Sequence, residues 1–127
     1  EDVGLVSALQ ILLTDLRQTT GIRITFDAPS ALPDLPAATA STAYRVAAEA
    51  LTNVVRHSRA TLCTVRVAHG GGMLHVEVAD NGSGFDTSMS TGMGLRNMLD
   101  RAGTANGMST VSSSPDSGTT VVLDVPL

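Results

Sequence analysis

Residues 74–85 read LHVEVADNGSGF: an alternating run, then Asp80 with Gly82 and Gly84 just behind it. Alternation over several residues marks a half-buried strand, so the acid and the glycines fall where a strand stops. Asp-Asn-Gly is a frequent turn sequence, because Asp and Asn hydrogen-bond the backbone two residues on and Gly accepts turn dihedrals. On that reading the stretch needs no ligand. On the other reading, Asp80 accepts a hydrogen bond from an exocyclic amine such as that of adenine. The two glycines then let a flat ring approach the backbone with no Cβ in the way. The rest of the chain has to decide between them.

Working outward, Leu5, Leu9, Leu12, Leu13 and Leu16 recur at spacings of three and four, which predicts an amphipathic helix over about 4–19. Gly21 ends it, and IRITFDA (22–28) alternates and is rich in β-branched residues, as a strand should be. PSALPDLP (29–36) is a proline-punctuated loop. A long helix is expected over about 38–57, with Ala43, Val46, Ala47, Ala50, Leu51, Val54 and Val55 as its apolar side. TLCTVRVAH (61–69) and MLHVEVAD (73–80), joined by three glycines, predict an antiparallel hairpin. After the glycine-punctuated stretch 81–94 come a helix over about 93–102 and a second hairpin, MSTVSSS with GTTVVLDVP. The order α-β-α-β-β-α-β-β does not alternate one for one, which argues against a doubly wound parallel sheet. The expectation is an α+β, two-layer α/β sandwich: a mixed sheet of about five strands with three helices on one face.

Length and composition narrow the function. A chain of 127 residues is one domain, large enough to bury its own core. Aromatics make up only 2%, so that core must come from aliphatic side chains. The net charge is −4 and the eight basic residues, all arginine, form no dense stripe, which excludes a nucleic-acid groove. The single cysteine, Cys63, lies in a strand-like run and permits no internal disulfide. No apolar run approaches the ~20 residues that span a bilayer. The domain is expected in a reducing, cytoplasmic setting, with no membrane contact of its own. The chain opens on Glu1 rather than methionine, so we expect a C-terminal piece of a longer protein, whose membrane attachment these residues leave open.

The long helix carries EALTN (49–53), and a separation of four puts Glu49 and Asn53 on one face, a turn apart. Arg45 and His57 extend that line and Arg56 lies close to it. A polar stripe is most often the solvated side of a helix. Here, though, a carboxylate, a carboxamide and an arginine together suit a magnesium ion and its phosphates, since hard cations take oxygen ligands and an amide oxygen qualifies. TGMGLRNM (91–98) sets Gly92 and Gly94 before a helix, whose free N–H groups would suit phosphate. A lone Gly-x-Gly among twelve glycines is a weak signal. Between the two glycine pairs there is room for only a short lid, Phe85 to Thr91. In SGTT (117–120), Thr119 is placed to hydrogen-bond near a base, or simply turns the chain into the last strand.

The succession is more telling than any member of it. Glu-x-x-x-Asn on a helix, a strand ending in Asp-x-Gly-x-Gly, a short polar gap, Gly-x-Gly-Leu opening a helix and Gly-Thr on a final strand resemble the GHKL ATP-binding fold. That fold is shared by sensor histidine kinases, DNA gyrase, a heat-shock chaperone and mismatch-repair ATPases. YRVAAEALTNVVRHSRAT, DNGSGF, GMGLRNM and GTTVVLDVPL are most similar to the catalytic domain of sensor kinases paired with NarL-type response regulators, the DesK-like and DevS/DosT-like kinases. The resemblance implies ATP and Mg2+ as ligands. It implies that Asp80 recognises the adenine amine, Gly82 and Gly84 clear its plane, and Thr119 supports it through water. Asn53 would ligate magnesium, Glu49 would stand near the metal's water and the phosphates, and Arg56 and His57 near the phosphate tail. Gly92, Gly94 and Leu95 would form the lid hinge and its phosphate-facing backbone.

Two positions depart from that pattern: Asn97 stands where the subfamily often has glycine after Gly-Leu-Arg, and Ala105-Asn106-Gly107 replaces its Leu-Gly-Gly. None of the three histidines, His57, His69 and His75, sits in a phosphoacceptor context, so the substrate histidine is expected on a dimerisation domain of the same parent kinase. A NarL-type response regulator would act downstream. The rival readings are a GHKL ATPase in which Glu49 activates water, an anti-sigma-type serine kinase, and a nucleotide-binding interaction module without activity.

Overall fold

The computed structural model describes residues 4–30, 32–82, 108–113 and 118–126. The leucine spacing of the N-terminal segment forms α1, Leu5–Thr20, which buries Leu5, Leu9 and Leu13. Gly21 closes it by donating its N–H to the carbonyl of Arg17 at 3.3 Å. β1, Arg23–Asp27, leads through the proline loop into α2, Ala37–Asn53. β2, Leu62–Gly70, and β3, Met73–Asp80, follow, then β4, Met108–Ser113, and β5, Thr119–Pro126. The sheet order is β1-β2-β3-β5-β4. β1 and β2 are parallel because α2 serves as the crossover between them. The other three pairings are antiparallel. The mixed five-stranded sheet expected from the sequence is therefore present. The helix expected over about 93–102 lies outside the described residues.

The β2–β3 hairpin turns on Gly71 and Gly72, whose φ values of 59° and 77° suit a two-residue loop with both central residues left-handed. Gly70 and Met73 face each other across that turn. Every second residue of the sheet points to one face, and there Ile24, Cys63, Val65, Val67, Leu74, Val76, Val78, Val121, Leu123 and Val125 are buried. The helices cover that face with Leu9 and Leu13 of α1 and Ala43, Val46, Ala47, Ala50 and Leu51 of α2. Alanines at three of those five α2 positions let the helix sit close to the strands. A fully buried leucine or valine contributes roughly 1.5–3 kcal/mol, so this aliphatic layer replaces the missing aromatics. The opposite face carries Arg66, His75, Glu77 and Asp124, partly or fully exposed. Among the described residues no helix is long and apolar enough to cross a membrane.

The orientation of α2 positions the site. At its start the Thr39 hydroxyl donates to the carbonyl of Pro126, at the far end of β5, at 3.4 Å. Its 17 residues span about 25 Å at the α-helical rise, and the eight residues of β5 span about 26 Å. α2 therefore runs along the sheet and ends over the edge where β3 finishes and β5 begins.

Candidate nucleotide site

Three strands meet at that edge in one row: Cys63 of β2, Asp80 of β3 and Thr119 of β5. Asp80 shares its face with Val76 and Val78 and Thr119 shares its face with Val121, so both side chains project toward the helix layer. Both residues are half-buried. The Asp80 carboxylate accepts the Gly82 N–H at 2.7 Å, which folds the outgoing chain back on itself. That is the bond a turn residue makes with the backbone two residues on, as the turn reading expects, while the sheet's hairpin is at Gly71–Gly72 and β3 pairs on its other side with β5.

Two neighbours fix the main chain of Asp80. On the β2 side, Asn81 donates its N–H to the Leu62 carbonyl at 3.2 Å. Its side-chain oxygen accepts the N–H groups of Thr61 and Leu62, each at 3.0 Å. Its Nδ2 donates to the Thr61 hydroxyl, also at 3.0 Å. On the β5 side, Gly118 has φ +81°, and a Cβ there would overlap the carbonyl oxygen of Asp80. Nothing in the local sequence singles out either residue. Asn81 reads as part of a turn and Gly118 as a turn glycine; the role of each depends on partners far along the chain, Thr61 and Leu62 for the Asn81 side chain and the Asp80 carbonyl for Gly118.

Cys63 closes the row on the β2 side. It is fully buried, and burial, followed by the nearby Asp80 charge, pushes its thiol up to about 12. It is a neutral filler beside the carboxylate and not a nucleophile.

On α2, Glu49 and Asn53 are both half-buried and one turn apart, as their spacing requires. Asn53 is the last α-helical residue. The expected helix to His57 instead widens into a π-helical turn, Val54–Ser58, which ends on Arg59 in the left-handed region at φ 57°. The 100° per residue rule thus holds from Arg45 to Asn53 and gives way to the wider π-helical turn beyond it. Turns of this kind occur mostly as single widened turns and often at functional sites. Nothing in the apolar spacing signals it. Arg45 and Arg56 are exposed. The structure thus aligns Asp80 with Thr119 and pairs Glu49 with Asn53. α2 packs on both β3 and β5, the strands that hold the first pair. Gly84, Gly92, Gly94 and Leu95 lie outside the described residues. A separate hollow of about 730 Å3, lined by Leu5, Val6, Pro29, Leu32, Pro33 and Ala40 among others, sits where α2 begins, at the opposite end from Asp80.

Residues 38–127 match the family described as histidine kinase-, DNA gyrase B-, and HSP90-like ATPase. The chain is 37% identical to the sensor histidine kinase MctS of Rhizobium johnstonii, over 99% of this chain and 28% of that protein. It is 33% identical to the sensor histidine kinase LiaS of Bacillus subtilis, over 100% of this chain and 35% of that protein. It therefore spans about a third of the length of these relatives. Among solved structures, the histidine kinase domain of the Erythrobacter litoralis EL346 blue-light activated kinase superposes with a TM-score of 0.82 at 23% identity, covering 98% of this chain and 61% of that one. The Acinetobacter baumannii histidine kinase AdeS gives 0.76 at 15% identity, covering 96% and 62%. These two speak to the fold alone. Family model and relatives together make the chain a member of the histidine kinase-, DNA gyrase B- and HSP90-like ATPase family, homologous to the catalytic domains of sensor histidine kinases.

Proposed function

We propose that residues 1–127 form the ATP-binding catalytic domain of a sensor histidine kinase of the NarL-partner type. It binds ATP with magnesium and presents the γ-phosphoryl group to a histidine on a dimerisation domain of the same parent. The observation that carries the reading is the shared edge: Asp80 and Thr119 in register beneath the end of α2 that bears Asn53. A purine resting there meets one carboxylate from the sheet, while its phosphates run toward α2. Asp80 reads the exocyclic amine, Gly82 and Gly84 leave its plane clear, and Thr119 supports it through water. Gly92, Gly94 and Leu95 supply the lid hinge and its phosphate-facing backbone, and Arg56 and His57 stand by the phosphate tail.

Magnesium fits the donors present. Among the described residues no cluster of three or more His, Cys, Asp or Glu is arranged as a metal cage. Asn53, half-buried with Glu49 one turn before it, offers a hard oxygen ligand of the kind that magnesium shares with phosphate oxygens and water. When bound, the ion neutralises phosphate charge and fixes its geometry. In the transfer, the acceptor imidazole nitrogen attacks the γ-phosphorus, the bond to the β–γ bridging oxygen breaks, and ADP leaves. Positioning and charge neutralisation dominate such a step. The acceptor's proton goes to an acidic neighbour on the dimerisation domain, and Glu49 orients water and phosphate without acting as the base. The phosphoryl group then passes to a NarL-type response regulator.

The test is product identity. Incubating the chain with labelled ATP, magnesium and a dimerisation domain should yield phosphohistidine on the added domain and almost no free phosphate. Phosphoserine on another acceptor, or rapid phosphate release, would favour the serine kinase or the ATPase instead. Asn53→Ala should abolish the transfer, and full activity in that variant removes the metal role.

A further inference from the structure

We propose that Asn81 is a positioning residue for adenine recognition: by clamping the end of β3 to the start of β2, it sets where the Asp80 carboxylate points. This rests on the reading that Asp80 takes the adenine amine. Asn81 lies on the outer side of the row and is exposed, so it does not itself meet the base. Its contacts all run the other way. One side chain satisfies two consecutive backbone N–H groups, those of Thr61 and Leu62, and donates to the Thr61 hydroxyl. Thr61 is itself tied to β1, because its carbonyl accepts the Arg23 N–H at 3.0 Å.

The clamp has consequences on both sides of the site. Asp80 precedes Asn81 directly, and its carboxylate already holds the N–H of Gly82, the residue after Asn81. With Asn81 fixed to β2, the turn from Asp80 to Gly82 has one path, and one Asp80 oxygen is committed to that turn while the other is left to face a base. Thr61 also ends the link that begins where α2 widens after Asn53. The same side chain therefore joins the purine end of the site to the segment that follows the phosphate end. A hairpin turn would need none of this, since a turn satisfies its own backbone.

The experiment measures ATP and inosine triphosphate binding to the 127-residue chain, with magnesium, by competition with a fluorescent ATP analogue. Inosine carries a carbonyl where adenine has its amine, so the ratio of the two affinities reports Asp80 and not overall folding. Asn81→Ala should weaken ATP about tenfold, the scale of one or two lost hydrogen bonds, and leave inosine triphosphate nearly unchanged. Hydrogen exchange should quicken at the Thr61 and Leu62 amides in the same variant. Asn81→Asp, which still accepts both N–H groups, should return the ratio to within about threefold of the parent in salt that screens the added charge.

A folded Asn81→Ala chain with fast exchange at those amides and an unchanged ratio overturns the proposal. So does an equal loss of both nucleotides. If Asn81→Ala does not fold, Asn81→Ser replaces it, since its shorter hydroxyl lacks the carboxamide oxygen that accepts the Thr61 and Leu62 N–H groups; an unaltered ratio there overturns the clamp equally. Asp80→Asn separates the two layers, because its amide can donate to the inosine carbonyl. An Asp80→Asn chain that keeps its full ATP preference sinks the adenine reading and the clamp with it. One that loses the preference while Asn81→Ala keeps it sinks the clamp alone.

Discussion

Gly118→Ala should destabilise the chain far more than an alanine at a glycine of equally unusual backbone but open surroundings. Gly118 and Gly72 have nearly the same φ, 81° and 77°. An L-residue in that region costs roughly 1–2 kcal/mol at either site. They differ in space. Nothing lies within 4 Å of a Cβ built on Gly72, whereas on Gly118 it overlaps the Asp80 carbonyl oxygen and sits 3.2 Å from the carbonyl carbon and 3.4 Å from the Asn81 Cα. That oxygen belongs to the backbone at the end of the central strand β3, so no flexible side chain can yield. Forcing strands apart in a packed region typically costs about 1–3 kcal/mol more. Gly118→Ala should therefore cost about 2–5 kcal/mol against about 1–2 for Gly72→Ala. Loss of chain entropy in the unfolded state offsets both alike and cancels in the comparison. Urea unfolding followed by circular dichroism gives both values. If the two variants fall within about 0.5 kcal/mol of each other, which is the usual scatter of an unremarkable substitution, the close approach of Gly118 to Asp80 is wrong.

Cys63, buried and with its thiol pushed up to about 12, should resist iodoacetamide at pH 8 in the folded chain and react fully in denaturant, as mass spectrometry would show; rapid labelling of folded protein contradicts its buried place beside Asp80. On the open face, His75 Nδ1 meets Asp124 at 2.8 Å and Nε2 meets Glu77 at 3.4 Å. The Asp124 hydrogen bond, helped by Glu77 and opposed by partial burial, raises its pKa above 6.5. A raised folded pKa means that this stabilisation is fully present below the unfolded value near 6.5 and is lost as pH rises through the folded value. Asp124→Asn should therefore lower the His75 titration midpoint seen by NMR, and its stability deficit should shrink as pH rises; an unmoved midpoint rules out the pairing. Leu9→Ala, at a fully buried site between helix and sheet, should cost about 2–5 kcal/mol in the same urea assay, and a loss below 1 kcal/mol would mean that α1 does not pack as described.

Periodicity made most of the fold legible. The leucines of α1, the alternation of β2, β3 and β5 and the glycines between β2 and β3 each give a local signal that tertiary packing then reinforces. Order along the chain was enough to reject a parallel sheet. What the sequence did not disclose is geometry set by partners distant in the chain. Asn81 reads as a turn residue until Thr61, twenty positions earlier, is seen to lie beside it. Gly118 reads as a turn glycine until β5 is seen to pair with β3. The π-helical turn after Asn53 is invisible for another reason. Val54 and Val55 fit an apolar helix face as well as they fit a widened one, and only the chain's path into β2 decides between them.

That path also explains why the site can be built from two elements that do not define each other. The sheet register alone brings Asp80 beside Thr119, and would do so with α2 absent. The length of α2 alone brings Asn53 to the same edge, because about 25 Å of helix starting over Pro126 runs out where about 26 Å of β5 does. Matching lengths fix the position along the sheet but leave the rotation of the helix end and the direction of the strand end free. The widened turn settles the first, since it carries the chain from a buried Val54 to a buried Ala60 and into β2 while Glu49 and Asn53 stay on regular helix. Asn81 and Gly118 settle the second, one from each flanking strand. A ligand that touches both Asp80 and Asn53 therefore measures all these constraints together, and loosening any one of them moves its Asp80 contact relative to its Asn53 contact.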